Sequence, residues 1–299
     1  MNDKIDILIP VYNGARYIKR CMEALMKQTY QNINIIVLND GSVDNSLDII
    51  ESLAAKDDRI KVYSKKNEGC VSIARNYLLD KIESKYFIFV DADDVVSENY
   101  IQLLARAIEE TGCRIACCEF TFFKGKLDRK ADIRSLKIYK SNEAIGEFIL
   151  GRRGHFMLWN KLIETDLIKN ITFNNEINYG EDMFFILDVI QRNDISIASI
   201  KNRLYYYKYL NFKSISKGGI NDNKKLFLET LVKYEKEDRY KDNSHIISVW
   251  IYLTATYYYF LCGFKKNEKE YRKYLRKLQK ERFDDVKDEI EKIAVEKKL

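Results

Sequence analysis

Short apolar runs alternate with segments of helical spacing along the first 120 residues of the chain. The runs lie at Ile5–Ile9, Ile33–Leu38, Ile60–Tyr63, Tyr86–Val90 and Arg114–Phe120. Between them apolar positions recur at three- and four-residue steps, first at Ala15, Ile18, Met22 and Leu25, then at Val43, Leu47, Ile50 and Leu53–Ala54. Ser97 reads as the N-cap of a further helix carrying Ile101, Leu104 and Ile108. Strands alternating with helices of this length predict βαβ units, and so an α/β fold with a mainly parallel sheet flanked by helices.

From about Lys124 the rhythm loosens. Ser141–Leu150 is expected to be helical, Phe156–Ile163 is an apolar run, and Gly180 opens a helix bearing Met183, Phe184, Leu187 and Ile190. The tyrosine-rich Leu204–Tyr209 reads as a strand. Beyond Ile220 the pattern is helical and lysine-rich, with 19 Lys+Arg against 15 Asp+Glu, which puts the expected boundary between an α/β domain at 1–219 and a helical region at 220–299.

Composition narrows the classes. Hydrophobic residues at 46% and charged residues at 32% describe a folded globular chain and argue against disorder. The apolar stretch Val249–Phe264 is too short and too interrupted to span a bilayer, and the N-terminus enters a strand without a signal-peptide pattern. The six cysteines show no framework spacing and read as free thiols, which with the missing leader points to the cytoplasm, at most at the inner face of the membrane. A net charge of +6 spread over 299 residues gives no electrostatic footprint for nucleic acid. The C-terminal lysines form either a solvated helical face or a contact with a membrane surface or a partner, self-association included.

Chemistry concentrates where strands end, the edge at which open α/β sheets bind ligands. The first strand ends in Pro10-Val11-Tyr12-Asn13, the second in Asn39-Asp40-Gly41-Ser42 with Asp44 beyond, and the fourth in Asp91-Ala92-Asp93-Asp94. Asn-Asp-Gly-Ser by itself is a common turn. Three carboxylates in four positions after a buried strand are harder to explain as a loop. Carboxylates from two strand ends repel each other unless a cation sits between them, and Mg²⁺ or Mn²⁺ bridging a pyrophosphate is the natural candidate.

Five segments in order, IPVYN at 9–13, NDGSVDNS at 39–46, KNEGCVSIARN at 66–76, FVDADD at 89–94 and GEDMFF at 180–185, resemble glycosyltransferase family 2, whose members share the GT-A fold. The resemblance covers about the first 220 residues. It implies that Pro10, Tyr12 and Asp40 hold the nucleobase and ribose, with Asn67, Gly69 and Arg75 completing the nucleoside pocket. It also implies that Asp91 lies near ribose and metal with Ala92 beside it, that Asp93 coordinates the metal, and that Asp182 is the catalytic base. The activity so implied is inverting transfer of a hexose or N-acetylhexosamine from a UDP-sugar to a hydroxyl on a glycan, lipid-linked or glycoprotein acceptor.

A helix N-terminus lowers the basicity of a carboxylate at Asp182, whereas burial, Glu181 and the donor's charge raise it. Trp159, Asn160 and Lys161 read either as part of an acceptor side or as a core tryptophan beside a solvated lysine. His155 is a lesser candidate for the metal, and Lys213–Ser216 for a loop over the donor phosphates. The competing class is a binding or assembly protein that keeps the nucleotide-sugar fold without catalysis. Nucleotidyltransferases and dinucleotide enzymes want a glycine-rich loop after the first strand, which Pro10–Arg16 does not supply.

Overall fold

A computed structural model describes residues 2–121, 132–150, 156–207, 220–262 and 268–288. The expected alternation is present: β1 (Ile5–Val11), α1 (Ile18–Met26), β2 (Ile33–Asp40), α2 (Ser46–Ala54), β3 (Ile60–Lys65), α3 (Val71–Leu79) and β4 (Tyr86–Phe89) follow one another. Then come β5 (Val95–Val96), α4 (Tyr100–Thr111), β6 (Ile115–Thr121), β7 (Leu136–Tyr139), α5 (Ser141–Leu150), β8 (Lys161–Glu164), α6 (Glu181–Asn193) and β9 (Ile197–Tyr206). Helices α7 (Asp222–Glu235), α8 (Ser244–Cys262) and α9 (Lys269–Glu281) close the order.

The strands form one sheet in the order β3-β2-β1-β4-β8-β6-β9-β5, with β7 paired to β9. Strands β3, β2, β1 and β4 are mutually parallel, in register from Ile5 opposite Ile33 and Tyr86. All of β2 and nearly all of β1 are buried, the state in which a parallel strand reads as an unbroken apolar run. Beyond β4 the sheet is mixed. β8 runs antiparallel to both β4 and β6, β9 runs parallel to β6, and β5 and β7 pair antiparallel with β9.

Several boundaries differ from the sequence expectation for local reasons. Val43 is 88% exposed and precedes α2, whose buried face is Ser46, Ile50 and Leu53. The N-cap position of α4 belongs to Asn99, not Ser97, and the Ile101 amide donates to Oε1 of the buried Gln28 at 3.1 Å, so a residue just beyond α1 caps this helix. β9 begins seven residues before Leu204, with Lys201 and Arg203 pointing to solvent between buried Ile200, Asn202 and Leu204. That alternation belongs to a half-buried strand.

Two compact units divide the chain, Met1–Ala144 with Arg153–Asn211, and Ile145–Arg152 with Phe212–Leu299. In the second unit the Asn221 side chain caps α7 by accepting from the Lys224 amide, Phe227 meets Trp250 edge-on, and Arg282 pairs with Glu235 at 2.5 Å. The boundary expected at residue 219, His155 and the Lys213–Ser216 loop all fall outside the described residues.

Candidate active site

Parallel pairing of β1, β2, β3 and β4 brings their carboxyl ends to one edge of the sheet. The first two connections there are sewn together. The Asn13 amide donates to Ser42 Oγ at 3.0 Å, the Val43 amide to Asn13 Oδ1 at 2.9 Å, the Gly14 amide to Ser46 Oγ at 2.8 Å and the Ala15 amide to Asp44 Oδ2 at 3.0 Å. Asp44 therefore organises the turn into α1. Burial opposes its charge, but hydrogen bonds from Ser46 and the Ala15 amide hold its pKa below the ordinary value.

Gly41 has φ +68°, and a Cβ there would lie 2.6 Å from the Asn67 amide nitrogen, so this close approach of two loops admits only glycine. Beside it Asp40 is buried; its Oδ2 accepts from Asn67 Nδ2 at 2.7 Å. Lys65 Nζ stands 2.8 Å from Asp40 Oδ1, at an angle that leaves this oxygen without a well-directed hydrogen bond. Asn67 Oδ1 accepts in turn from the amide of Gly69, which has φ +77°. Tyr12 is 54% exposed beyond the end of β1, and Pro10 is half-buried next to it. Pro10, Tyr12, Asp40, Asn67 and Gly69, the residues expected on the nucleoside side, thus share the edge formed by β1, β2 and β3.

Deeper in, Arg75 on α3 is almost fully buried. Its Nη1 contacts Glu181 Oε1, its Nη2 lies 3.5 Å from Asp91 Oδ1, and the guanidinium sits 5.7 Å from the Phe173 ring centroid. Burial opposes the charge, but Glu181, Asp91 and Asp182 around it hold the group firmly protonated, with its pKa raised. Arg75 is therefore turned towards carboxylates brought in from β4 and α6.

The segment leading to α6 is clamped to α3. Ser72 Oγ donates to the Ile177 carbonyl at 2.8 Å, the Val71 amide to Asn178 Oδ1 at 3.2 Å, and the Phe173 amide to Asn76 Oδ1 at 2.8 Å. Gly180 then takes φ +73° as the N-cap of α6, which places Glu181 and Asp182 in the first turn. Buried Glu181 is held by Arg75, whereas Asp182 makes no ion pair among the described residues. Burial, together with the charges of Glu181 and Asp91, raises Asp182 to about 7 against the opposing pull of Arg75 and the Met183 amide. Burial likewise lifts Asp91 to about 6, with Arg75 pulling it down and Asp93 and Glu181 pushing it up.

The four positions after β4 separate by role. Asp91 and Asp93 remain partly exposed at the edge and Ala92 packs against the core. Asp94 turns inward, 1% exposed, and accepts from Tyr205 Oη at 2.8 Å, so it does not face the donor side as its place in the acidic run suggests. Tyr205 Oη also accepts from the Asp91 amide at 3.1 Å and so ties the acidic loop to β9. Trp159 stacks on Tyr205, centroids 4.1 Å apart, and on Tyr207 at 5.5 Å. Lys161 is not solvated. It is fully buried, its Nζ donates to the Met157 carbonyl and to Asn160 Oδ1, both at 2.8 Å, and burial lowers its pKa to about 8 against the pull of Cys117 and Asp182. Sequence reasoning missed Tyr205 as a support of the acidic loop because a tyrosine in a buried strand carries no local mark of what its hydroxyl reaches.

The cluster suits a divalent cation. Asp91 and Asp93 offer hard oxygen donors two positions apart, and the Asp91 pKa is raised chiefly by burial, with Asp93 and Glu181 adding to the rise against Arg75. Among the described residues no group of three or more His, Cys, Asp or Glu is placed to hold a metal, so an ion held by Asp91 and Asp93 would need further ligands from outside the protein.

Comparison with known proteins adds an independent line. The family model described as Glycosyl transferase family 2 matches residues 6–190. The glycosyltransferase GlyG of Streptococcus pneumoniae serotype 4 is 27% identical over 221 residues, spanning 70% of this chain and 71% of that protein. EpsH of Bacillus subtilis is 31% identical over 238 residues, spanning 77% of this chain and 67% of that protein. Among solved structures, S. aureus TarS 1-349 in complex with UDP-GlcNAc is similar with a TM-score of 0.72 at 20% identity, covering 89% of this chain and 77% of that one. At that identity the likeness speaks for the fold.

Proposed function

The chain belongs to glycosyl transferase family 2, and from that premise we propose that it moves a hexose or N-acetylhexosamine from a UDP-sugar to an acceptor hydroxyl, with inversion at the anomeric carbon. The observation that carries this reading is the arrangement around Arg75. The guanidinium pairs with Glu181 and lies 3.5 Å from Asp91, while Asp182 beside them makes no ion pair among the described residues and has its pKa lifted to about 7, chiefly by burial and then by the charge of Glu181. A base that titrates near neutrality combines availability with driving force.

The nucleoside lies on the shelf made by Tyr12, Pro10, Asp40, Asn67 and Gly69. Asp40, held in place by Lys65 and Asn67, supports the base of that shelf on the uracil side. Ala92 and Asp91 border the ribose side. Mn²⁺ or Mg²⁺ would be held by Asp93 and Asp91, and when bound it supplies charge neutralisation to the leaving diphosphate. Asp182 takes the proton of the acceptor hydroxyl as that oxygen attacks the anomeric carbon from the face opposite the diphosphate, so no covalent intermediate forms. Arg75 positions the carboxylates, and the clamp between α3 and residues 173–178 holds Asp182 to a rigid frame. The acceptor class that fits is a glycan, a lipid-linked saccharide or a glycoprotein of a cell-surface assembly route.

The test is nucleoside diphosphate release from a panel of UDP-, GDP- and dTDP-sugars with Mn²⁺, followed by proton NMR of the transferred sugar's anomeric coupling. Release confined to UDP-sugars, with inverted configuration in the product, is the expected result. Binding of UDP-sugars without turnover for any donor and acceptor tried would favour a binding protein, and retained configuration would remove Asp182 from the role of base.

A further inference from the structure

Helix α8 contains no Asp, Glu, Lys or Arg. One side of it, Ile247, Ile251, Ala255, Tyr258 and Cys262, is buried within the helical unit. Leu253, Tyr257 and Phe260 are 43%, 53% and 76% exposed. At about 100° per residue they lie roughly 140–200° around the helix from Ala255, so they form one stripe on the side away from the packing. An exposed leucine and two exposed aromatic residues at i, i+4 and i+7 positions are costly to leave in water and mark a contact surface.

Helix α9 runs antiparallel beside this stripe. Gln279 Nε2 donates to Thr256 Oγ1 at 2.9 Å, Arg276 donates to the Tyr259 hydroxyl with its guanidinium 5.0 Å from that ring centroid, and Ser248 Oγ donates to Asp285 Oδ2 at 2.5 Å. Phe283, two residues beyond the end of α9, is also 56% exposed. The helix carries six Lys and Arg against two Glu, and Lys269, Lys273, Arg276 and Lys280 are exposed along it. A basic row therefore runs parallel to an aromatic row.

We propose that the α8–α9 pair docks on an anionic lipid surface, with Leu253, Tyr257 and Phe260 entering the headgroup boundary and the α9 cations meeting lipid phosphates. Both halves of the surface are satisfied by this one occupant. A second copy related by a twofold axis would set one basic row against another, at an electrostatic cost. Among the described residues no helix is long and apolar enough to cross a membrane, so the contact lies along the surface.

Flotation of the full chain with phosphatidylcholine vesicles, with and without phosphatidylglycerol, tests the proposal. Binding is expected only to the phosphatidylglycerol-containing vesicles and should weaken as salt rises. Tyr257→Ser with Phe260→Ser should abolish it. A separate variant carrying Lys269→Gln, Lys273→Gln and Lys280→Gln should lower partitioning on the order of a hundredfold, about fivefold per cation lost. Both variants alter exposed side chains, so their thermal melting and their hydrolysis of soluble donor should match the parent chain. Absence of binding to anionic vesicles, or binding indifferent to both variants, would overturn the proposal. So would a dimer in sedimentation equilibrium that the aromatic variant alone converts to monomer, since the stripe would then be a subunit interface.

Discussion

Replacing Asp182 with Asn should make the protein more stable while nearly abolishing transfer, and the size of each effect follows from the surroundings of that carboxyl. In the fold its pKa rises from 3.8 to about 7, chiefly by burial and then by the negative charge of Glu181 and Asp91. A carboxylate whose folded pKa exceeds its unfolded value favours the fold below the unfolded pKa, and that contribution is lost as pH rises through the folded pKa. At pH 8 the charged form thus opposes folding by at most about 4 kcal/mol, from roughly 3 pH units at 1.36 kcal/mol each. Solvent reaching the partly exposed side chain brings the expected gain from Asp182→Asn down to about 1–2 kcal/mol.

Asn preserves the acceptor for the Met183 amide, which Asp182 Oδ1 binds at 2.9 Å, so no hydrogen bond is lost to offset the gain. For a chain of this size such a gain raises Tm by several degrees, at roughly 2–4 °C per kcal/mol. The increase should be larger at pH 8 than at pH 5, where the wild-type carboxyl is already mostly protonated. Transfer should fall on the order of 10²–10⁴-fold with donor affinity little changed, because only the proton acceptor has gone. In the wild type, kcat/KM should climb tenfold per pH unit up to about pH 7 and then level, and the variant should lack that limb. Differential scanning fluorimetry at both pH values, calorimetric titration with donor, and a pH–rate profile make the three measurements. Near-wild-type transfer by Asp182→Asn would place the base elsewhere, and an unchanged Tm at pH 8 would refute the electrostatic argument.

Three further outcomes are expected. Glu181→Gln removes the main partner of buried Arg75 and one of the charges that raise Asp182, so it should lower Tm and move the rising limb of the pH–rate profile to lower pH, with less loss of transfer than Asp182→Asn. Gly41→Ala places a methyl group against the Asn67 amide at φ +68°; a loss of about 1–3 kcal/mol in denaturant titration should accompany a weakened donor Kd. Tyr205→Phe strips the donor from buried Asp94 and the acceptor from the Asp91 amide, costing about 1–3 kcal/mol, and calorimetry should find Mn²⁺-dependent donor binding impaired as the acidic loop loses its tether.

Much of this molecule is written locally. The β1–β4 alternation is legible because parallel strands buried on both faces must be continuous apolar runs, and the helices between them must carry one apolar face. The polar residues at the ends of β1, β2 and β4 are legible for a related reason, since they interrupt buried segments where the chain reaches solvent. Those signals lie within a few residues of each other and need no knowledge of the fold.

Other assignments depend on partners far away in sequence. Asp94 looks like its neighbours until Tyr205, 111 residues on, draws it into the core. Lys161 has the composition of a surface residue, yet the Met157 carbonyl and Asn160 Oδ1 hold its ammonium group inside. Asp6 sits in the middle of the first apolar run, and only tertiary structure supplies the Ser84 hydroxyl and amide, the Glu83 amide and Asn34 Nδ2 that satisfy its buried carboxylate. Glu181 and Asp182 are chemically near-equivalent in the sequence. The position of Arg75, 106 residues away, neutralises one and leaves the other to titrate near neutrality, because a buried charge is governed by what stands within a few ångströms in space and not by its neighbours along the chain.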